Sequence, residues 1–344
     1  MKKDLPIIIG LILIVACIYR VPNSIMRASM ELSAVVGISL ILAIWLADRV
    51  NIWLGLFVFL AVFSHVYPVY NAAGYKTLHN ILIASGLLLF MSYKPEYFEH
   101  VFDVLLIVAM VNLIVIGFDL LNIHVPYRMF WGSDCEGITA NRNESAAIFA
   151  FALPAALLRG KTRAWMILPI AIGLILTRTS GAVLSVMAGL FVFWRLKGYR
   201  HLFLFMLAGV LSLILYLVFV DTTNASSRWI MWGGVLEAIK LKLWLGWGIG
   251  QYPNIYNHSP HNEFLRLLME MGLASIFIVY GYICSCVLDF WGEVEISDNQ
   301  ILCITALIII AANSFISFQL HIGVTALMAL LWLGKFEEAR RDNS

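Results

Sequence analysis

The sequence predicts an all-α, polytopic helical membrane protein of about 12 transmembrane helices, with an outward loop that contains an amphipathic helix. Three observations predict it. Of the 344 residues, 61% are hydrophobic and 13% charged, with a mean hydropathy of +0.87, a composition foreign to soluble globular domains. Apolar runs long enough to cross a bilayer recur from end to end. Those runs are continuous, whereas the strands of a membrane barrel would alternate apolar and polar residues. A net charge of +2 is too small to suggest nucleic acid as a partner.

Taken in order, the expected spans fall near residues 5–19, 31–47, 52–67, 77–91, 101–121, 144–158, 164–177, 180–194, 202–220, 263–288, 300–318 and 322–334. Repeats, low-complexity tracts and linkers are absent, so residues 1–344 read as one integral membrane domain. Met1-Lys2-Lys3 precedes an apolar run without a clean small-residue cleavage site, and that run is expected to be a retained first span. Cys17, Cys284, Cys286 and Cys303 lie in apolar segments and Cys135 in a loop, which implies no disulfide framework. Cys284 and Cys286 point to different faces of a helix, so a thiolate metal site is not expected there.

Basic residues set the orientation. Arg159, Lys161 and Arg163 form one short cluster and Arg195, Lys197 and Arg200 another, and such clusters resist translocation. With both on the cytoplasmic side, the N- and C-termini are cytoplasmic as well. The long loops at about 122–143 and 221–262 then face outward, into the periplasm of a diderm bacterium.

The 221–262 loop carries the chemistry. Trp229, Trp232, Leu236, Ile239 and Leu243 recur at helical spacing, as in an amphipathic helix lying on the membrane surface. Arg228 at its start suits bidentate binding of a phosphate, against the plainer role of snorkelling to lipid headgroups. Gly246 and Gly248 permit a sharp turn back toward the membrane; with no strand before them, they are not a dinucleotide fingerprint. Asn262 reads as a helix N-cap and Glu263 as its first-turn acid, while Glu263, Arg266 and Glu270 share a face and are spaced to pair. His261 has no evident structural task, and its imidazole suits proton acceptance from a hydroxyl. His258 lies close by, but a third ligand at metal spacing is missing, so no metal or other cofactor is expected.

Arg178 interrupts an apolar run where only a tight turn separates two spans, which points to an anionic partner against snorkelling as the plainer role. Arg142 adds outward positive charge at the start of the span near 144, which Asn141 or Asn143 is placed to cap.

Together these stretches resemble the superfamily of O-antigen ligases and O-antigen polymerases, membrane glycosyltransferases of the periplasmic face. Pro260-His261-Asn262-Glu263 followed by Leu265 and Glu270-Met271-Gly272 is similar to the family's His-Asn and Glu-x-Gly pattern. Arg228 with its aromatic helix and the Gly246-x-Gly248 turn, and Gly137 through Asn143 to Ala146 and Ala147, match two further stretches. Thr177-Arg178-Thr179-Ser180-Gly181-Ala182 departs from a common Ser-Arg-Gly-Ala pattern, with the arginine displaced by two residues.

The resemblance implies a glycan donor on undecaprenyl diphosphate and a sugar-hydroxyl acceptor, either a lipid-linked repeat unit (polymerase) or lipid A-core (ligase). It further implies a metal-independent, inverting transfer in the bacterial inner membrane. Catalysis then falls to His261 and Arg228, and diphosphate binding to Arg178, Arg228 and Arg142, with Asn262, Glu263, Arg266, Glu270, Asn143, Gly246 and Gly248 in support. Membrane lipids are the remaining partner. The short chain favours the polymerase. A transporter or flippase of lipid-linked glycans is the alternative of another class, and the scarcity of mid-span charges argues against it.

Overall fold

The computed structural model describes residues 52–66, 100–121, 137–139, 141–158, 163–199, 222–252, 261–291, 296–316 and 323–341, with isolated residues between 77 and 88. Among them the architecture is all-helical: α1 (Ile52–Val66), α2 (Val101–Leu120), α3 (Arg142–Leu158), α4 (Ile167–Leu176), α5 (Ser180–Leu196), α6 (Thr222–Leu241), α7 (Glu263–Trp291), α8 (Asp298–Ile316) and α9 (Gly323–Arg341). The expected spans at 5–19, 31–47 and 202–220, and most of 77–91, lie outside the described residues. Among the described residues, three helices are long and apolar enough to cross a membrane: Phe102–Leu120, Glu263–Ser285 and Asp298–Phe315. Ala164–Leu176 and Ser180–Leu196 are shorter apolar helices.

The chain divides into two compact units. The first contains α2 to α5, α8 and α9; the second contains α1, α6 and α7.

In the first unit α3 is the central element. It is buried continuously from Ser145 to Ala156 and packs against α2, α4, α5, α8 and α9, as a helix apolar on all sides must. Small residues let neighbours approach closely: a Cβ on Gly173 of α4 would lie 2.5 Å from the Phe149 ring. Trp332 of α9 donates its indole N–H to the Phe151 carbonyl at 2.9 Å and packs its ring on Phe102 at 4.8 Å. At the start of α8, Ser297 Oγ accepts the Gln300 N–H at 3.3 Å while Gln300 Oε1 accepts the Ser297 N–H at 2.7 Å, a reciprocal cap for two orphan donors.

Charge segregates to the two ends of this unit. One end holds the ion pairs Arg163–Asp103 at 3.4 Å, Lys197–Asp298, and Lys335–Glu338 at 2.8 Å. The other end holds Arg142 and Arg178, both exposed.

In the second unit α7 packs against α1 and α6. Its expected continuous helix from residue 263 is broken at Gly272, whose φ of 67° and ψ of −171° fall where essentially only glycine goes. The charged residues Glu263, Arg266 and Glu270 all precede the break, and the apolar stretch from Leu273 follows it. The physical cause is a second segment spliced into the gap.

Candidate active site

A helix uninterrupted at this point would bond the Leu273 and Ala274 N–H groups to the carbonyls of Met269 and Glu270. Both bonds are instead made by the turn that follows α6. Leu273 donates to the Leu243 carbonyl at 2.8 Å and Ala274 to that of Trp244 at 3.2 Å, while Trp247 donates to Met269 and Gly248 to Glu270, each at 2.8 Å. The two N–H and two carbonyl groups of those helical bonds thus regain partners, as groups away from water require.

The glycines make this splice sterically feasible. Gly246, at φ 71°, lies against α7 so closely that a Cβ would sit 2.5 Å from the Glu270 carbonyl carbon. Gly248 has φ 100°, and a Cβ on Gly272 would come within 2.6 Å of the Gly246 nitrogen. The turn expected at Gly246 and Gly248 is therefore present, and it is clasped by the Glu270-Met271-Gly272 segment.

The splice orients α6. Val235 and Ile239 are buried with Tyr252 and Met269, and Trp247, Leu265 and Leu268 pack around them. Arg228 precedes Val235 by two turns on the same face of the helix, so its half-buried position follows the face packed toward α7. Trp229, Ile230 and Leu236 lie on the opposite, exposed side. The expected apolar stripe is accordingly divided: Ile239 is buried and Trp232 half-buried, whereas Trp229, Leu236 and Leu243 are exposed. Trp229 and Trp232 meet edge to face at 5.2 Å along the boundary.

At the head of α7 the expected cap is present. Asn262 is buried; its Oδ1 accepts the Leu265 N–H at 3.0 Å and its carbonyl accepts that of Arg266 at 3.1 Å. Glu263 is buried in the first turn. One turn on, Arg266 Nε donates to Glu270 Oε1 at 3.2 Å, with both side chains largely shielded, so the pairing foreseen from spacing takes this form.

His261 immediately precedes the cap, with φ 48°. Its imidazole is held below its ordinary pKa, first by burial and then by the positive charge of Arg228. At neutral pH the ring is therefore neutral and able to accept a proton, beside a guanidinium suited to an anion. Among the described residues, His261 and Arg178 are the non-glycine positions with positive φ. Left-handed backbone is uncommon outside glycine and concentrates at functional sites.

Arg178 belongs to the first unit, on the turn between α4 and α5. Thr177 is buried and donates its hydroxyl to the Leu174 carbonyl at 2.7 Å; the single hydroxyl proton of Thr179 is shared between the Thr177 carbonyl at 3.1 Å and the Arg142 carbonyl at 3.4 Å. The last bond ties the Arg178 turn to the start of α3, bringing Arg142 and Arg178 to one end of the unit. Asn141 supplies the cap of α3: its Oδ1 accepts the Asn143 N–H at 2.9 Å and its carbonyl accepts that of Ser145 at 3.0 Å. Asn143 lies in the first turn.

Beneath this end sits a buried residue that the sequence did not single out. Asn112, fully buried in α2, accepts from the Ile138 N–H at 2.9 Å and the Ser145 hydroxyl at 3.1 Å through Oδ1, and donates to the Ser145 carbonyl at 3.3 Å. Gly137, at φ 62°, packs directly on this amide, with no room for a Cβ. The one signal for Asn112 was an amide inside an otherwise apolar span, where polar side chains are costly unless bonded.

The features define a helical membrane protein with a histidine held neutral beside an arginine at a helix mouth. Residues 164–280 match the family model described as O-antigen ligase, which supports the resemblance to the O-antigen ligase and polymerase superfamily. The match runs from the start of the α4 segment, through Arg178, Arg228 and the glycine turn, past His261 and the Gly272 break. No curated protein matches the chain. The match supports a membrane enzyme of the O-antigen ligase or polymerase type.

Proposed function

We propose that the chain is a glycosyltransferase that moves a glycan from undecaprenyl diphosphate to a sugar hydroxyl at the periplasmic face of the inner membrane, as an O-antigen polymerase or the polymerase of a related surface polysaccharide. The observation that carries this reading is the His261 imidazole, kept neutral by burial and by the charge of Arg228. In the proposed step, His261 accepts the proton of the acceptor hydroxyl as its oxygen attacks the anomeric carbon. The bond from that carbon to the diphosphate breaks with its electron pair leaving on the phosphate oxygen, and Arg228 stabilises that charge. Attack opposite the leaving group inverts the anomeric centre, and no metal is required, because a lipid diphosphate is already a good leaving group.

Arg142 and Arg178 are proposed to bind phosphate as a cluster of the first unit. The segregation of Arg163, Lys197 and Lys335 to the other end of that unit supports a cytoplasmic side there and an outward side for the two arginines. Cytoplasmic N- and C-termini are proposed with that orientation.

A ligase, joining the glycan to lipid A-core, is the second reading, favoured by the description of the matching family. Expression in strains lacking either the polymerase or the ligase distinguishes the two. Restored ladders on a lipopolysaccharide gel in the polymerase-deficient strain alone support the first reading, and restoration in the ligase-deficient strain alone supports the second. Failure in both, with the protein present in the membrane, counts against both and returns the transporter alternative.

A further inference from the structure

We propose that Trp247 is a positioning residue, whose indole and main chain together fix Arg228 on α6 relative to His261 at the head of α7. It rests on the reading of His261 and Arg228 as the reacting pair.

Trp247 is attached to both helices at once. Its main-chain N–H is bonded to the Met269 carbonyl at 2.8 Å, within the segment that leads back to Asn262 and His261. Its indole N–H is bonded to the Ala238 carbonyl at 2.9 Å, in the last turn of α6, where helix carbonyls lack an intrahelical donor. The Lys242 ammonium lies 4.5 Å from the ring centroid and holds the indole face. The ring packs with Ala238, Leu265 and Leu268 around Val235, Ile239 and Met269. From this contact α6 runs back along one face to Arg228, and α7 runs back through the Leu265 amide to the Asn262 cap that adjoins His261. The main-chain bonds of the splice hold the turn to α7 whatever side chain stands at 247, but the bond to Ala238 needs an N–H on the five-membered ring. Phenylalanine there keeps the packing and loses that attachment.

The consequence is specific. The charge of Arg228 acts on His261 only while α6 keeps its rotation and height against α7. Loosening the Ala238 attachment lets Arg228 withdraw, and the imidazole then titrates closer to its ordinary range, though burial still holds it down.

The test is titration of His261 by NMR of ring-labelled, full-length protein in detergent micelles, for the wild type, Trp247→Phe, Arg228→Gln and the double variant. The His261 pKa should rise in Trp247→Phe and in Arg228→Gln, and the double variant should rise no further than Arg228→Gln alone. Glycan transfer by Trp247→Phe should lose on the order of tenfold in kcat with little change in donor KM. An unchanged His261 titration in a folded Trp247→Phe protein, or fully additive shifts in the double variant, overturns the proposal. If Trp247→Phe does not fold, Trp247→His, which keeps a ring N–H, decides: recovery of folding and transfer supports the assignment. Failure of both variants makes the ring a packing element and overturns it. Loss of the catalytic reading would show separately, as full transfer by a His261 variant while the His261 titrations of the Trp247 and Arg228 variants still shift as expected.

Discussion

Arg228 lies close enough to His261 for its charge to bear on the imidazole, whose proton affinity burial has already reduced. The two residues are far apart in sequence and come within electrostatic range because the α6 face that carries Arg228 is turned inward against α7. His261 is ordinarily half protonated near pH 6.5, and here its neutral form persists to lower pH. As pH falls through the lowered pKa the base is lost, so the acid limb of kcat/KM is expected below 6.5. Arg228→Lys, which keeps the charge, should leave that limb in place. In Arg228→Gln the residual activity should show the limb moved upward but still below 6.5, since burial is the larger cause. A pH–rate profile on purified donor and acceptor checks both.

The break in α7 depends on Gly272. Its backbone is in a region that other residues enter only at a cost of about 1–3 kcal/mol, and the Trp244 carbonyl occupies the space of a Cβ. Gly272→Ala should therefore lower the thermal midpoint in detergent and reduce transfer. An alanine at Gly233, an exposed glycine with open space around it, should leave both near wild type.

Asn112 is predicted to matter for the first unit alone. Asn112→Leu removes the acceptor of the buried Ile138 N–H and should cost about 1–3 kcal/mol, read as a lower unfolding midpoint. The His261 titration, a property of the second unit, should not move.

Arg178 stands exposed on a left-handed turn held by Thr177 and Thr179. If its guanidinium binds donor phosphate, Arg178→Gln should raise donor KM by about tenfold with a smaller change in kcat. Thr179→Val, which frees the turn from the Arg142 carbonyl, should act in the same direction more weakly.

Much of this arrangement was legible in the chain before folding was considered. Arg228, Arg178 and His261 were conspicuous because charge and imidazole are expensive in so apolar a setting, and the Asn262 cap and Arg266–Glu270 pairing follow from local spacing. The division of the tryptophan stripe was not readable, because periodicity gives an apolar arc but not which edge of it a neighbour will cover. Nor was the break at Gly272. Met271 and Leu273 continue an apolar pattern across it, and its energetic support comes from the Leu243–Gly248 turn, remote in sequence and matched to it through main-chain groups that carry no residue identity. Asn141 and Asn143 were equivalent as caps until the backbone assigned the role to Asn141.

The most direct test of the account is transfer by His261→Asn with purified lipid-diphosphate-linked donor and hydroxyl acceptor. Asparagine tolerates the left-handed backbone at this position, with φ 48°, so the variant removes the base while sparing the fold. The account predicts a wild-type unfolding midpoint, retained donor binding and transfer reduced at least ~100-fold. Transfer at the wild-type rate by this variant would contradict it.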